Sequence, residues 1–202
     1  MNREPLIEGN YYHIYNRGNI GGNLFYENEN YDYFLRLYEK YIEPVTETFA
    51  WCLLKNHFHL LVYIKEPDEI DPKFLSYSTV KKPKAINVSK QFSNLFNAYT
   101  QAINKRYNRT GSLFEKNFKR KRITNEKYFQ NMIFYIHNNP VNHDFVDKIF
   151  DYPWSSYLSI LSNKPPKLKR ERVIKIFDDV DNFKYDYSCN HKIDNIEELI
   201  IE

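Results

Sequence analysis

Two histidines, His57 and His59, flank Phe58 inside an apolar run that predicts a β-strand. Side chains two positions apart on a strand point to the same face, so both imidazoles would leave the sheet side by side, as paired metal ligands do. Phe58 would point to the opposite face, into a core. Two ordinary surface or core histidines can have the same spacing, so this pattern alone leaves both interpretations open.

A nucleophile and a further ligand are available in a helix predicted over residues 125–138, which we expect Pro140 to end. Tyr135 and Asn139 are four positions apart, and side chains at that spacing share a helix face. One helix would then bring a phenol and an amide oxygen to the same metal. A phenolate that attacks a phosphodiester forms a covalent phosphotyrosine, which divides strand transfer into two steps. The alternatives are that Tyr135 is a core aromatic residue or that Tyr128 is the nucleophile.

The metal expected at such a site is Mg2+ or Mn2+. Both favour six-coordinate sites rich in oxygen, and manganese accepts imidazole more readily than magnesium. His57, His59 and Asn139 would be the protein ligands. Cys52 lies a few positions before the histidines, but one cysteine with two histidines is an incomplete zinc set, so we expect a buried thiol there.

Two further histidines lie in the predicted elements. His13 falls in a strand predicted over residues 11–16, where it is either a core or surface histidine or a support for a metal ligand. His137 lies about 200° round the helix from Tyr135, so we expect it to be structural or to face DNA.

Positive charge is concentrated in the middle of the chain. From Lys105 to Arg122 there are eight Lys or Arg residues and one acid, Glu115, although the net charge of the whole chain is only +3. Basic residues at this density favour contact with a phosphate backbone, whereas a solvated charged face is the alternative. The candidate phosphate contacts are Arg17, Lys105, Arg106, Arg109, Lys116, Lys119, Arg120, Lys121 and Arg122. The 18 tyrosines and 15 phenylalanines suit base stacking as well as an ordinary aromatic core.

Length and composition limit the class of protein. With 202 residues, the chain is long enough for one domain with an appended tail, which we divide into a catalytic unit at residues 1–160 and an extension at 161–202. No run of eighteen apolar residues predicts a membrane span, and residues 1–5 do not resemble a signal peptide. Cys52 and Cys189 suggest no disulfide framework, so a reduced cytoplasmic setting is expected.

The elements that must position these residues follow from hydrophobic periodicity and turn residues. Strands are predicted over residues 11–16, 46–54, 57–64 and 118–123, and helices over 31–41, 87–107 and 125–138. Ser89 is the expected N-cap of the second helix, residues 66–84 are expected to form a loop, and residues 170–180 form an amphipathic stretch. This order predicts an α+β fold, with an antiparallel sheet that carries its helices on one face around a ferredoxin-like core.

Several segments together resemble those of the REP-associated tyrosine transposases, relatives of the single-tyrosine HUH insertion-sequence transposases. The matching segments, in the family's order over about the first 160 residues, are 12–18 (YHIYNRG), 51–62 (WCLLKNHFHLLV), 111–114 (GSLF) leading into 118–119, 135–141 (YIHNNPV) and 152–157 (YPWSSY). Lys55 stands where the family usually has proline, and Asn139 stands where more distant insertion-sequence relatives have glutamine. Residues after about 164 match nothing in the family.

The resemblance implies an HUH nuclease core with His57, His59 and Asn139 as metal ligands and Tyr135 as the nucleophile. It implies metal-dependent cleavage and transfer of single-stranded DNA beside a folded hairpin, either REP-like or an insertion end. It is compatible with a monomer or a homodimer.

Two alternatives remain at this point. The chain is either a nucleic-acid-binding or regulatory protein that has lost catalysis on the same fold, or a zinc-dependent hydrolase that uses the histidine pair without a covalent step. Intact His57, His59 and Tyr135 argue against the first alternative.

Overall fold

The computed structural model describes residues 4–74, 86–162 and 168–188. Its strands are β1 (Tyr11–Arg17), β2 (Thr46–Leu53), β3 (His57–Ile64) and β4 (Lys119–Ile123). Its α-helices are α1 (Asn28–Tyr41), α2 (Val88–Arg106), α3 (Glu126–Asn142), α4 (Tyr157–Leu161), α5 (Arg170–Ile176) and α6 (Val180–Ser188). Short 3-10 turns lie at Asn19–Gly21, Pro67–Glu69, Pro72–Phe74 and Ile149–Asp151.

The four strands form one antiparallel sheet in the order β2-β3-β1-β4. With α1 between β1 and β2 and α2 between β3 and β4, this is a ferredoxin-like arrangement, and the predicted α+β class is confirmed. The register places Arg17 opposite His57 and Tyr15 opposite His59. The end of β1 and the start of β3 therefore lie side by side at one end of the sheet.

Helices cover both faces of the sheet, whereas we expected them on one face. Helices α1 and α2 share one face, and α3 covers the other. Phe58 and Leu60 of β3 point into a first core shared with α1 and α2, whereas Leu61 points into a second core with α3. Six of the eight residues of β3 are buried, so the strand is apolar on both sides. A sheet of this kind requires a helical layer on each face to exclude water.

The second layer includes helices from beyond residue 161. Phe134 of α3 packs edge-on against Phe177, with 5.2 Å between ring centroids, and Phe183 of α6 belongs to the same core. Arg172 of α5 forms an ion pair of 2.5 Å with Glu47 of β2. The division into residues 1–160 and 161–202 stays a prediction, and residues 168–188 share a core with α3.

Two helix ends differ from the expectations. Asn87, rather than Ser89, caps α2, because its side-chain oxygen accepts a hydrogen bond from the Lys90 amide at 3.0 Å. Helix α3 continues through Pro140 to Asn142, so the prediction that Pro140 ends the helix was wrong. A proline in the last turn removes only one backbone hydrogen bond, and Pro140 is buried in the fold.

Part of the predicted loop at 66–84, Cys189 and the end of the chain lie outside the described residues. Within the described ranges, none of the helices combines the length and the apolar character needed to span a bilayer.

Candidate active site

A cavity of about 240 Å³ opens where the end of β1 and the start of β3 face α3. Its walls combine aromatic, imidazole, amide and charged side chains. They are His13, Tyr15, Asn16, Arg17, Asn56, His57, Phe58, His59, Glu115, Lys119, Tyr135 and His143. The strand histidines and the helix tyrosine that the sequence singled out therefore line one space.

His57 is held between two amide oxygens. Its Nδ1 lies 2.7 Å from Oδ1 of Asn56, and its Nε2 lies 2.9 Å from Oδ1 of Asn139. Asn139 is fully buried in α3, and its carbonyl accepts a hydrogen bond from the His143 amide at 3.1 Å. The continuation of α3 past Pro140 thus places the Asn139 side chain directly against the first histidine of the pair.

His59 is supported by His13 of the neighbouring strand. Nε2 of His13 lies 2.9 Å from Nδ1 of His59, so one ring donates to the other. Burial lowers the pKa of His59 well below 6.5, and nearby histidines add to that effect. Burial, followed by the charge of Lys121, lowers the pKa of His13 to about 3. Both rings are therefore neutral, and His13 acts as a support rather than as an isolated core histidine.

Of the two candidate nucleophiles, Tyr135 is the one beside the histidines, where Tyr15 of β1 also stacks on His13 and His59. The Tyr135 ring stands edge-on to His59 with 5.3 Å between centroids and edge-on to His13 at 6.0 Å. It is 4% exposed and lines the cavity. Tyr128 instead packs at the edge of the second core with the Lys121 ammonium 5.4 Å from its ring centroid, and it does not line this cavity. Of the two candidate nucleophiles, the fold brings only Tyr135 to the histidine pair.

The residues around His57 fit a cation. Both ring nitrogens of His57 face amide oxygens, and a neutral ring carries a proton on only one of them, so the other nitrogen presents its lone pair to an oxygen. Two acceptors this close repel each other unless a positive charge, either a second ring proton or a bound cation, lies beside them. Among the residues that the structure describes, the buried Nδ2 of Asn139 has no hydrogen-bond partner.

The donor atoms beside His57 favour a metal that binds oxygen ligands as well as imidazole nitrogen. No group of three or more His, Cys, Asp or Glu residues within 4–74, 86–162 and 168–188 could hold a metal ion, so a metal bound at the histidine pair would also need an oxygen ligand such as that of Asn139. Cys52 is a buried free thiol, as expected, and burial raises its pKa well above 9.0. A thiol kept protonated in this way is a poor zinc ligand.

Sequence reasoning missed His143. It follows the last residue of α3, and its ring centroid lies 4.9 Å from that of His57 at the cavity wall. His143 is four positions after Asn139, so helical spacing would have revealed it had the helix not been expected to end at Pro140.

His137 lies on the opposite side of α3 and is structural. Its Nε2 lies 2.8 Å from Oγ of Ser156 and its Nδ1 lies 2.5 Å from the hydroxyl of Tyr187. The ring is fully buried, which lowers its pKa to about 3, so the alternative that it faces DNA was wrong.

The basic candidates spread beyond the cavity. Arg17 and Lys119 line it, and Nε of Arg17 lies 2.5 Å from a carboxylate oxygen of Glu115. Arg106 is paired with Glu27 at 2.5 Å, and Arg120 binds Oγ of Ser89 at 2.9 Å. The exposed members are Arg17, Lys105, Arg106, Lys116, Lys119 and Arg122, whereas Arg109, Arg120 and Lys121 are partly buried.

The chain was compared with known proteins. No family model matches it. It is 28% identical over 112 residues to a protein of Haemophilus influenzae named as a REP-associated tyrosine transposase. The resemblance to this family is confirmed. The match covers 55% of this chain and 58% of the relative, so it spans little more than half the length of that REP-associated tyrosine transposase.

A solved structure with a similar fold carries the same family name. This structure, described as a REP-associated tyrosine transposase bound to a REP hairpin, superposes with a TM-score of 0.59. The superposition covers 83% of this chain and 88% of the other, at 18% sequence identity. The chain therefore shares the α+β fold of a REP-associated tyrosine transposase.

Proposed function

We propose that this protein cleaves single-stranded DNA beside a hairpin and transfers the strand through a covalent phosphotyrosine, in a metal-dependent reaction. The observation that carries the proposal is the meeting of His57, His59 and Tyr135 at one cavity, with the buried Asn139 side chain 2.9 Å from His57. The resemblance to REP-associated tyrosine transposases supports it, and the hairpin bound to the structural neighbour suggests the class of DNA.

The proposed metal ligands are Nε2 of His57, the ring of His59 and Oδ1 of Asn139. Bound Mg2+ or Mn2+ would polarise the scissile phosphate and stabilise the leaving oxygen. Asn56 and His13 hold the two imidazoles through their Nδ1 atoms, which fixes the ring orientation before any ligand arrives.

Tyr135 is the proposed nucleophile. Its phenolic oxygen loses a proton and attacks the phosphorus, so a tyrosine–phosphorus bond forms while the bond from phosphorus to the 3′ oxygen breaks. The 3′ oxygen leaves and takes up a proton. In the second step another 3′ hydroxyl attacks the phosphotyrosine and releases Tyr135. The energy of the phosphodiester bond is retained in the phosphotyrosine, so rejoining the strands needs no nucleoside triphosphate.

The basic residues would hold the DNA backbone. Lys119 and Arg17 lie at the cavity, where they would position the phosphates next to the scissile bond. Lys105 and Lys116 are exposed outside it and suit the hairpin stem or the flanking strand. Contacts of this kind supply affinity and register rather than sequence specificity.

The test uses a labelled hairpin oligonucleotide with a single-stranded flank, incubated with Mn2+. The wild-type protein is expected to form an adduct that survives a denaturing gel, and Tyr135→Phe is expected to form none. Tyr128→Phe is the matched control, because it removes a hydroxyl from the same helix outside the cavity and should keep the adduct. An equal adduct in Tyr135→Phe rejects this nucleophile, and binding without cleavage under any metal favours the catalytically inactive alternative.

A further inference from the structure

Ile20 occupies an unusual position at the tip of the loop that follows β1. Its side chain is 95% exposed, and its backbone is in the left-handed region with φ 55° and ψ 36°. A β-branched residue is rarely found there, because its side chain crowds the adjacent carbonyl. Asparagine or glycine at position 20 would adopt this backbone conformation with less strain. The fold thus keeps a large apolar side chain in water at a strained position.

The loop that carries Ile20 is tied down at both sides. The Gly18 amide donates to the Asn56 carbonyl at 2.7 Å, and the Asn19 amide donates to the Leu113 carbonyl at 2.9 Å. The Gly21 amide closes the loop on the Gly18 carbonyl at 3.0 Å. A Cβ on Gly18 would lie 1.7 Å from the Gly22 carbonyl oxygen, so the chain passes itself too closely for any other residue. Ile20 is therefore presented by an ordered loop.

The two anchors join the loop of Ile20 to the edge of the cavity and to the basic segment. Asn56 lines the cavity and precedes His57, while Leu113 lies inside the segment from Lys105 to Arg122. Arg17, three positions before Ile20, lines the cavity as well. An exposed apolar tip that follows Arg17, on a loop bridged to the basic segment through Gly18 and Phe114, suits nucleic acid: the cations hold phosphates, and the tip contacts bases.

We propose that Ile20 is a wedge that packs against an unstacked base at the junction between a DNA hairpin and the single strand that enters the cavity. The inference rests on the proposed function, since it requires DNA at this site. Apolar side chains that enter a base step separate the bases and stabilise the bent strand through contact with their faces. Because the loop is already ordered, little conformational entropy is lost when the tip enters the DNA.

The test replaces Ile20 in two ways that keep the loop conformation. Ile20→Gly removes the side chain and the backbone strain, and Ile20→Asn puts a polar residue that tolerates the left-handed region in its place. Both variants should melt at or above the wild-type temperature. Their affinity for a hairpin with a single-stranded flank should fall about tenfold, because the apolar area that Ile20 buries against the base is lost. Leu158→Ala is the control, since Leu158 is exposed on α4 and lines none of the described cavities.

A second readout detects the wedge itself. An oligonucleotide with 2-aminopurine at the junction should become more fluorescent when wild-type protein unstacks that base, and should respond much less to either Ile20 variant. If the wild type binds the hairpin and the variants match it in affinity and fluorescence, the wedge is rejected and the proposed function stands. If the wild type binds no hairpin, both are rejected. A change of oligomeric state in size-exclusion chromatography, without loss of DNA affinity, would assign the tip to a protein contact and overturn the inference.

Discussion

Neighbouring amide and imidazole groups orient the two rings of the histidine pair. Asn56 and Asn139 each face one nitrogen of His57, and His13 occupies Nδ1 of His59. Burial keeps His13 and His59 neutral, so their lone pairs are available to a donor or a cation rather than to a proton. The imidazoles are thus oriented by their neighbours before any ligand binds.

Asn139 offers the most direct test of the proposed metal site. Asn139→Leu removes the oxygen with little change in volume, so we expect the affinity for Mn2+ to fall at least about tenfold, as ligand losses usually do. Asn139→Asp keeps the oxygen and adds negative charge, so affinity should be retained or increased. Isothermal titration of chelator-treated protein with Mn2+ measures both variants. Equal affinity in Asn139→Leu and wild type would remove Asn139 from the ligand set.

At the scale of elements, α3 connects the site to the rest of the fold. One face carries Tyr135 and Asn139 towards the sheet, and the other carries His137 into a buried polar cluster with Ser156 and Tyr187. Ser156 also accepts a hydrogen bond from the Trp51 amide at 2.9 Å, so the cluster joins α3 to β2 and α6. The position of Tyr135 therefore depends on packing at both faces of its helix.

Acid should destabilise the protein through His137. The unfolded chain binds a proton at this residue near pH 6.5, whereas the folded chain does not until about pH 3. The contribution is complete above pH 6.5 and is lost as the pH falls from 6.5 towards 3, by about 1.4 kcal/mol per pH unit.

Urea unfolding at pH 7 and pH 5 measures this loss in the wild type and in His137→Gln. The variant retains groups that can hydrogen-bond to Ser156 and Tyr187 but does not titrate, so its stability should fall by about 2 kcal/mol less between the two pH values. His13 and His59 are unchanged and contribute equally to both proteins. Identical losses in the two proteins would show that His137 already carries its proton in the folded state.

In the whole molecule, the sheet separates two apolar cores, one on each face. The polar groups of the cavity lie at one end of the sheet, where β1 ends and β3 begins. The opposite end, where Thr46 pairs with Ile64, is closed by α5 through Arg172, which binds Glu47 and the Tyr11 hydroxyl and lies 4.9 Å from the Phe49 ring centroid. Polar chemistry and structural support are thus separated along the strands.

Because cationic side chains lie at the cavity end of the sheet, DNA binding there should depend on salt. Lys119→Ala should weaken binding to hairpins of different sequence by a similar factor and reduce the slope of log affinity against log salt by about one. Lys40→Ala is the control, because Lys40 is exposed in the last turn of α1, away from the cavity. Fluorescence anisotropy at several salt concentrations measures the slopes. Equal slopes for Lys119→Ala and wild type would place the DNA elsewhere.

The sequence by itself determined the features that depend on near neighbours. The spacing of His57 and His59 on a strand, and of Tyr135 and Asn139 on a helix, follows from local backbone geometry, which the structure retains. The order of strands and helices was equally readable from periodicity, and it led to the ferredoxin-like core.

Only the tertiary structure decided which of these residues meet. The contact between His57 and Asn139 joins positions 82 apart, and that between His13 and His59 joins positions 46 apart. The choice of Tyr135 over Tyr128, the continuation of α3 through Pro140 and the helices on both sheet faces depend on packing between distant segments. Such contacts arise because the whole chain buries its apolar surface at once, and no local pattern encodes that outcome.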